Sequence, residues 1–107
     1  MYTGFSKKEI RAMLHAFGLN YSQNYFRIIK VLLSNPGWVK FQTLKAESGL
    51  ANRTTLCRSL TSLEDHNIIE RRWVSFYDHD KGAPNTIKEI RITEAFLSFL
   101  EEAYGTA

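Results

Sequence analysis

The chain has 107 residues, 44% of them hydrophobic and 23% charged, which fits one globular domain with a real core and excludes a large multidomain enzyme. Its 14 Lys and Arg against 11 Asp and Glu leave a net charge of +3, compatible with a polyanionic partner without requiring one. Cys57, the single cysteine, excludes an internal disulfide, and no Cys/His set has zinc spacing.

The first predicted element is a helix over about residues 7–17. Ser6-Lys7-Lys8-Glu9 is a capping box, flanked by Phe5 and Ile10 in the positions of a hydrophobic staple. Ile10, Met13, Leu14 and Phe17 then recur at i, i+3, i+4, i+7, and Gly18 supplies the stop. A second helix is capped by Asn20 or Ser22, is lined by Phe26, Ile29, Leu32 and Leu33 with Ile28 and Val31 widening the face, and ends at Asn35-Pro36-Gly37. Trp38-Val39-Lys40 is long enough only for a stub of strand.

A short helix at about 41–47 follows, with Phe41, Leu44 and Ala46 inward and Gly49 closing it. Asn52 caps the next helix, roughly 53–66, whose Leu56, Leu60 and Leu63 repeat at i, i+4, i+7, and Asn67 takes the left-handed conformation after it. The period then changes. Residues 68–77 and 86–92 read as the arms of a β-hairpin around a polar loop of about eight residues, 78–85. Thr93 caps a last helix at about 94–104, apolar at Phe96, Leu97, Phe99, Leu100, Ala103 and Tyr104. The fold class is therefore mainly α with a small β-hairpin (α+β), in one domain.

This order of elements resembles the winged helix-turn-helix. The likeness lies chiefly in residues 44–71: Leu44 to Gly49, then Thr55-Leu56-Cys57-Arg58-Ser59-Leu60-Thr61-Ser62-Leu63-Glu64, then Ile68-Ile69-Glu70-Arg71. It is similar to the consensus of MarR- and ArsR-type regulators, and Ile92-Thr93-Glu94 resembles their Leu-Thr-Glu before the C-terminal helix. The pattern extends over about residues 24–95. The turn before Thr55 is one residue longer than usual, Asn67 stands where the family has glycine, and the hairpin lacks the Asp-x-Arg of MarR wings. The resemblance implies a helix-turn-helix over about 41–66, a wing over about 68–92, and double-stranded DNA as partner.

The residues themselves support that partner independently. At about 100° per residue, the side of helix 53–66 opposite its leucines presents Thr54, Arg58 and Thr61, with Thr55 and Ser62 at its margins. Small hydroxyl side chains let a helix sink into a major groove, and an arginine forks onto guanine O6/N7. Candidate DNA contacts are thus Asn52, Arg53, Thr54, Thr55, Arg58, Thr61 and Ser62, with Lys40 and Arg53 on phosphate. The bland reading of the same face is solvation of an exposed helix. His79 and Lys81 at the hairpin tip are further candidates, supported by Asn85, Lys88 and Arg91; Asp78 and Asp80 oppose them, and a solvated turn explains the loop nearly as well. Cys57 reads as a small semi-buried filler, or as a redox switch beside Arg53 and Arg58. His15 and His66 read as surface or capping residues.

Charge is unevenly placed: residues 1–93 hold 14 basic and 8 acidic side chains, and the last 14 residues hold only Glu94, Glu101 and Glu102. This suggests two surfaces with different partners, or ordinary acidity of a terminal helix. The apolar outer helices predict a two-fold homodimer through Met13, Leu14, Phe17, Phe96, Phe99, Leu100 and Tyr104, with half-sites about 34–36 Å apart. The alternative is that both helices close the core of one chain. No nucleophile–base–carboxylate set, glycine-rich phosphate loop or ligand pocket is discernible, so no enzyme activity, cofactor, metal or small-molecule effector is assigned. No apolar run reaches the roughly 18–20 residues of a membrane span and no signal segment opens the chain, which predicts a cytoplasmic protein. The functional expectation is a dimeric, sequence-specific transcriptional regulator. A plasmid-partition or replication-initiation protein, or a winged-helix interaction module that does not touch DNA, are the alternatives.

Overall fold

Local chemistry sets most of the helix ends. The computed structural model describes residues 5–104, which form α1 (Lys7–Ala16), α2 (Gln23–Ser34), β1 (Val39–Lys40), α3 (Phe41–Ser48), α4 (Arg53–Asp65), β2 (Ile69–Asp78), β3 (Ala83–Ile92) and α5 (Glu94–Tyr104). Both bonds of the capping box at Ser6 are made: the Glu9 amide donates to Ser6 Oγ (3.2 Å) and the Ser6 amide to Glu9 Oε1 (3.0 Å). Ser22, rather than Asn20, caps α2 by accepting from the Asn24 amide. Asn52 caps α4 through the Thr55 amide at 3.1 Å. Gly49 ends α3 at a φ of 74°, and Asn67 adopts a φ of 60° after α4. Thr93 joins two elements: its Oγ1 accepts from the Phe96 amide (3.2 Å), opening α5, and donates to Asn67 O (2.7 Å) at the far side of the sheet root.

The sheet is antiparallel with strand order β1-β3-β2, pairing Val39 with Ile90 and running from Ile69 opposite Ile92 out to Asp78 opposite Ala83. Five helices with this small sheet make an α+β architecture in which a helix pair precedes a β-hairpin, loosely consistent with a winged-helix-like fold.

Two local expectations are corrected. The hairpin connection is four residues, 79–82, where a loop of about eight was predicted. Asp78 Oδ1 accepts from the amides of Asp80 (3.0 Å) and Lys81 (3.2 Å), and Gly82, at a φ of 65°, donates to Asp78 O (2.8 Å). This tight turn lets the strands pair to Ala83. Pro84 is tolerated in β3 because β1 covers only Ile90 and Glu89, leaving the distal end of β3 as an edge. In α3, Ala46 is exposed and Ser48 is buried instead, its hydroxyl donating to Lys45 O and accepting from the Leu50 amide.

The core is continuous. Ile10, Met13 and Leu14 of α1, Ile28, Ile29, Val31, Leu32 and Leu33 of α2, Leu44, the three leucines of α4, the sheet-root isoleucines, and Phe96 and Leu100 of α5 form one buried cluster. Four side chains proposed for dimerisation belong to it: Met13, Leu14, Phe96 and Leu100 are each 0% exposed within a single chain. Phe17 packs its ring 5.0 Å from Phe96 and 5.5 Å from Phe99, so α1 and α5 satisfy each other's apolar surplus. Tyr104 remains 40% exposed, its ring edge-on to Phe5. The distal hairpin, by contrast, is exposed or half-buried along its length, in a molecule of 48 × 28 × 23 Å. Among the described residues, no helix is long and apolar enough to cross a membrane.

Candidate nucleic-acid interface

Helix α4 buries Leu56, Ser59, Leu60 and Leu63 and turns the rest of its circumference outward. On that side Arg53, Thr54, Cys57, Arg58, Thr61 and Ser62 line one shallow concavity. Five of the predicted contact residues are thereby brought together, with half-buried Cys57 in the wall between them. Two are not. Asn52 is exposed but uses its side-chain oxygen as the helix cap, and Thr55 is half-buried outside the concavity.

Hydrogen bonding sorts the members of this face. Thr61 Oγ1 donates to Cys57 O (3.0 Å) and receives Arg71 Nη2 at 3.5 Å. Among the described residues no hydrogen bond or ion pair holds the exposed Arg58, so its fork is available. Arg53 lies with its guanidinium 5.4 Å from the centre of the Phe41 ring. The acidic end of α4 is partly neutralised: Arg71 Nη2 meets Glu64 Oε1 at 2.6 Å. That bond holds the Glu64 carboxyl below its ordinary value and raises the Arg71 guanidinium, against the opposing effect of burial on each. Arg71 escaped the sequence reading because its partner comes from another element.

A second concavity of about 560 Å³ lies between β1–α3, the start of α4, and the hairpin. Lys40, Lys45, Arg53, Lys81 and Lys88 bring five cations to it, Phe41, Trp73 and Phe76 bring aromatic surface, and no acidic side chain lines it. Lys88 reaches across, its Nζ 5.1 Å from the Phe41 ring centre and 5.6 Å from that of Trp73. Lys40, Lys81 and Asn85, expected from the sequence, are here; Trp73, Phe76 and Lys45 were missed. The available signal was the aromatic run in residues 73–77, but alternation alone does not show that both arms leave the body there. Trp73 is 67% exposed and Tyr77 55%.

The remaining tip residues divide. His79 is exposed with its ring edge-on to Tyr77 at 5.0 Å. Arg91, expected to support the tip, is instead held by Glu70 and stacks 4.4 Å from the Trp38 ring centre. Arg72 stacks at 4.1 Å and bonds Glu89 at 2.8 Å, a cluster on the sheet face opposite Lys88. His66 is the C-cap residue of α4, and His15 is exposed on α1. Among the described residues, no group of three His, Cys, Asp or Glu side chains is placed to hold a metal. No protein-family model matches the chain, and no curated protein is detectably similar to it in sequence.

Proposed function

We propose that the protein is a winged helix-turn-helix that binds double-stranded DNA sequence-specifically as a transcriptional regulator. In this reading α3 and α4 form the helix-turn-helix over about 41–66, residues 68–92 the wing, and residues 94–104 the closing helix. The observation that carries it is the exposed, acid-free concavity of α4, where Arg53, Thr54, Arg58, Thr61 and Ser62 converge. Arg58 reads a base, the small hydroxyl-bearing side chains allow close approach to the major groove, and Lys40 and Arg53 contact phosphate. A homodimer belongs to the proposal, with its apolar contacts drawn from Phe17, Phe99 and Tyr104, since the four fully buried side chains offer no surface.

The test is selection of bound sequences from a random duplex pool at two salt concentrations. A palindrome or repeated site should be enriched, and affinity should fall steeply as salt rises. Arg58→Ala should cost about 1–3 kcal/mol of binding and relax specificity at one position. No enrichment, together with affinity indifferent to Arg58→Ala, would overturn the reading in favour of a protein-interaction module. Light scattering of the same samples gives the oligomeric state.

A further inference from the structure

We infer that the groove between α3 and the hairpin binds a single strand of nucleic acid, so that the protein engages a duplex next to an unpaired strand. The inference rests on the reading of α4 as the duplex-binding helix.

Charge identifies the backbone of the occupant. Five cations and no acid line a groove of about 560 Å³, an arrangement that follows a chain of phosphates. An apolar peptide would have to desolvate those same charges without neutralising them. The aromatic side chains identify the rest. Trp73 is 67% exposed and Phe76 39%, so neither ring is consumed by the core. Lys88, lying between Phe41 and Trp73 within about 6 Å of both ring centres, bridges the two aromatic walls by cation–π attraction.

An aromatic face is useful to nucleic acid chiefly where a base is unstacked. In a continuous duplex each base already stacks on its neighbours and shows only its edge to the groove. A single strand presents whole base faces, and stacking on Trp73 tolerates any sequence. Arg53 joins the two sites, lining both the α4 concavity and the hairpin groove. A duplex on α4 therefore continues directly into the groove as an unpaired strand.

The experiment titrates the full chain at low salt against three labelled probes: a blunt mixed-sequence duplex, that duplex with an overhang of about ten nucleotides, and the overhang strand alone. Anisotropy reports affinity and tryptophan emission reports stacking. The overhang duplex should bind about tenfold more tightly than the blunt one and quench emission. Trp73→Ala should equalise the two affinities. Trp73→Phe should keep the preference while losing the quenching, which assigns the signal to Trp73 rather than Trp38. Circular dichroism confirms that each variant is folded. Equal binding of blunt and overhang duplex by the wild type, or a preference surviving Trp73→Ala, overturns the inference and leaves the duplex reading standing. Absence of blunt-duplex binding in the wild type overturns both.

Discussion

Phe96 and Trp73 are both large aromatic side chains of one small domain, yet the first is 0% exposed and the second 67%. Phe96 sits where α1, α5 and the sheet root meet, with the Phe17 and Phe99 rings 5.0 and 6.3 Å away. Trp73 sits on a hairpin arm beyond the reach of β1, opposite Lys88. The difference separates two duties that composition alone merges. Apolar surface in the helical body and at the sheet root is used to hold the fold, while that in the distal hairpin contributes little to the core and stays exposed.

The largest expected effect tests that division directly. Phe96→Ala should destabilise the protein by about 3–5 kcal/mol in urea unfolding, because it removes a fully buried ring. Trp73→Ala should stay within about 0.5 kcal/mol of the wild type in the same measurement. Comparable losses would show that the hairpin is part of the cooperative core. The Thr93 link is smaller. Thr93→Val keeps the shape and loses the bonds to Asn67 O and the Phe96 amide, which should cost about 1 kcal/mol. If the loss appears as fraying of α5 by hydrogen exchange, the contrast sharpens into a body with its own weak seam.

The smallest effect is electrostatic. Arg71 lowers the pKa of Glu64 in the folded state from its ordinary value of 4.5, so the folded protein binds that proton less tightly than the unfolded chain. The stabilisation is present above pH 4.5 and is lost as pH falls through the lower, folded value. With the Glu64 side chain 37% exposed, it should amount to less than about 1 kcal/mol. Thermal unfolding of Glu64→Gln should be slightly weaker than the wild type near neutral pH, and the two should converge in acid. A gap that persists unchanged at low pH would mean that packing, not charge, links α4 to β2.

Much of this was readable residue by residue. The caps at Ser6, Asn52 and Thr93 depend on bonds that span three positions, so short sequence windows contain them entire. The outward face of α4 follows from its leucine period, and Arg53, Thr54, Arg58, Thr61 and Ser62 do converge there. The hairpin loop is shorter than its sequence suggests because Pro84 looks like a strand breaker until its place on an edge is known. That Met13, Leu14, Phe96 and Leu100 lie in the core of one chain is not legible for a related reason: a wide apolar stripe on α5 shows that something covers it, not whether the cover comes from the same chain.

Local periodicity and capping therefore decided which elements exist, where the capped helices begin and which side of α1, α2 and α4 faces inward. Tertiary structure decided which faces meet. It turned Met13, Leu14, Phe96 and Leu100 into core, drew Arg91 to Glu70 and Trp38, and assembled a basic, aromatic groove from segments as distant as Lys40 and Lys88. A strand's two-residue period defines two faces without saying which is covered. That choice belongs to register and to the body against which the strand packs.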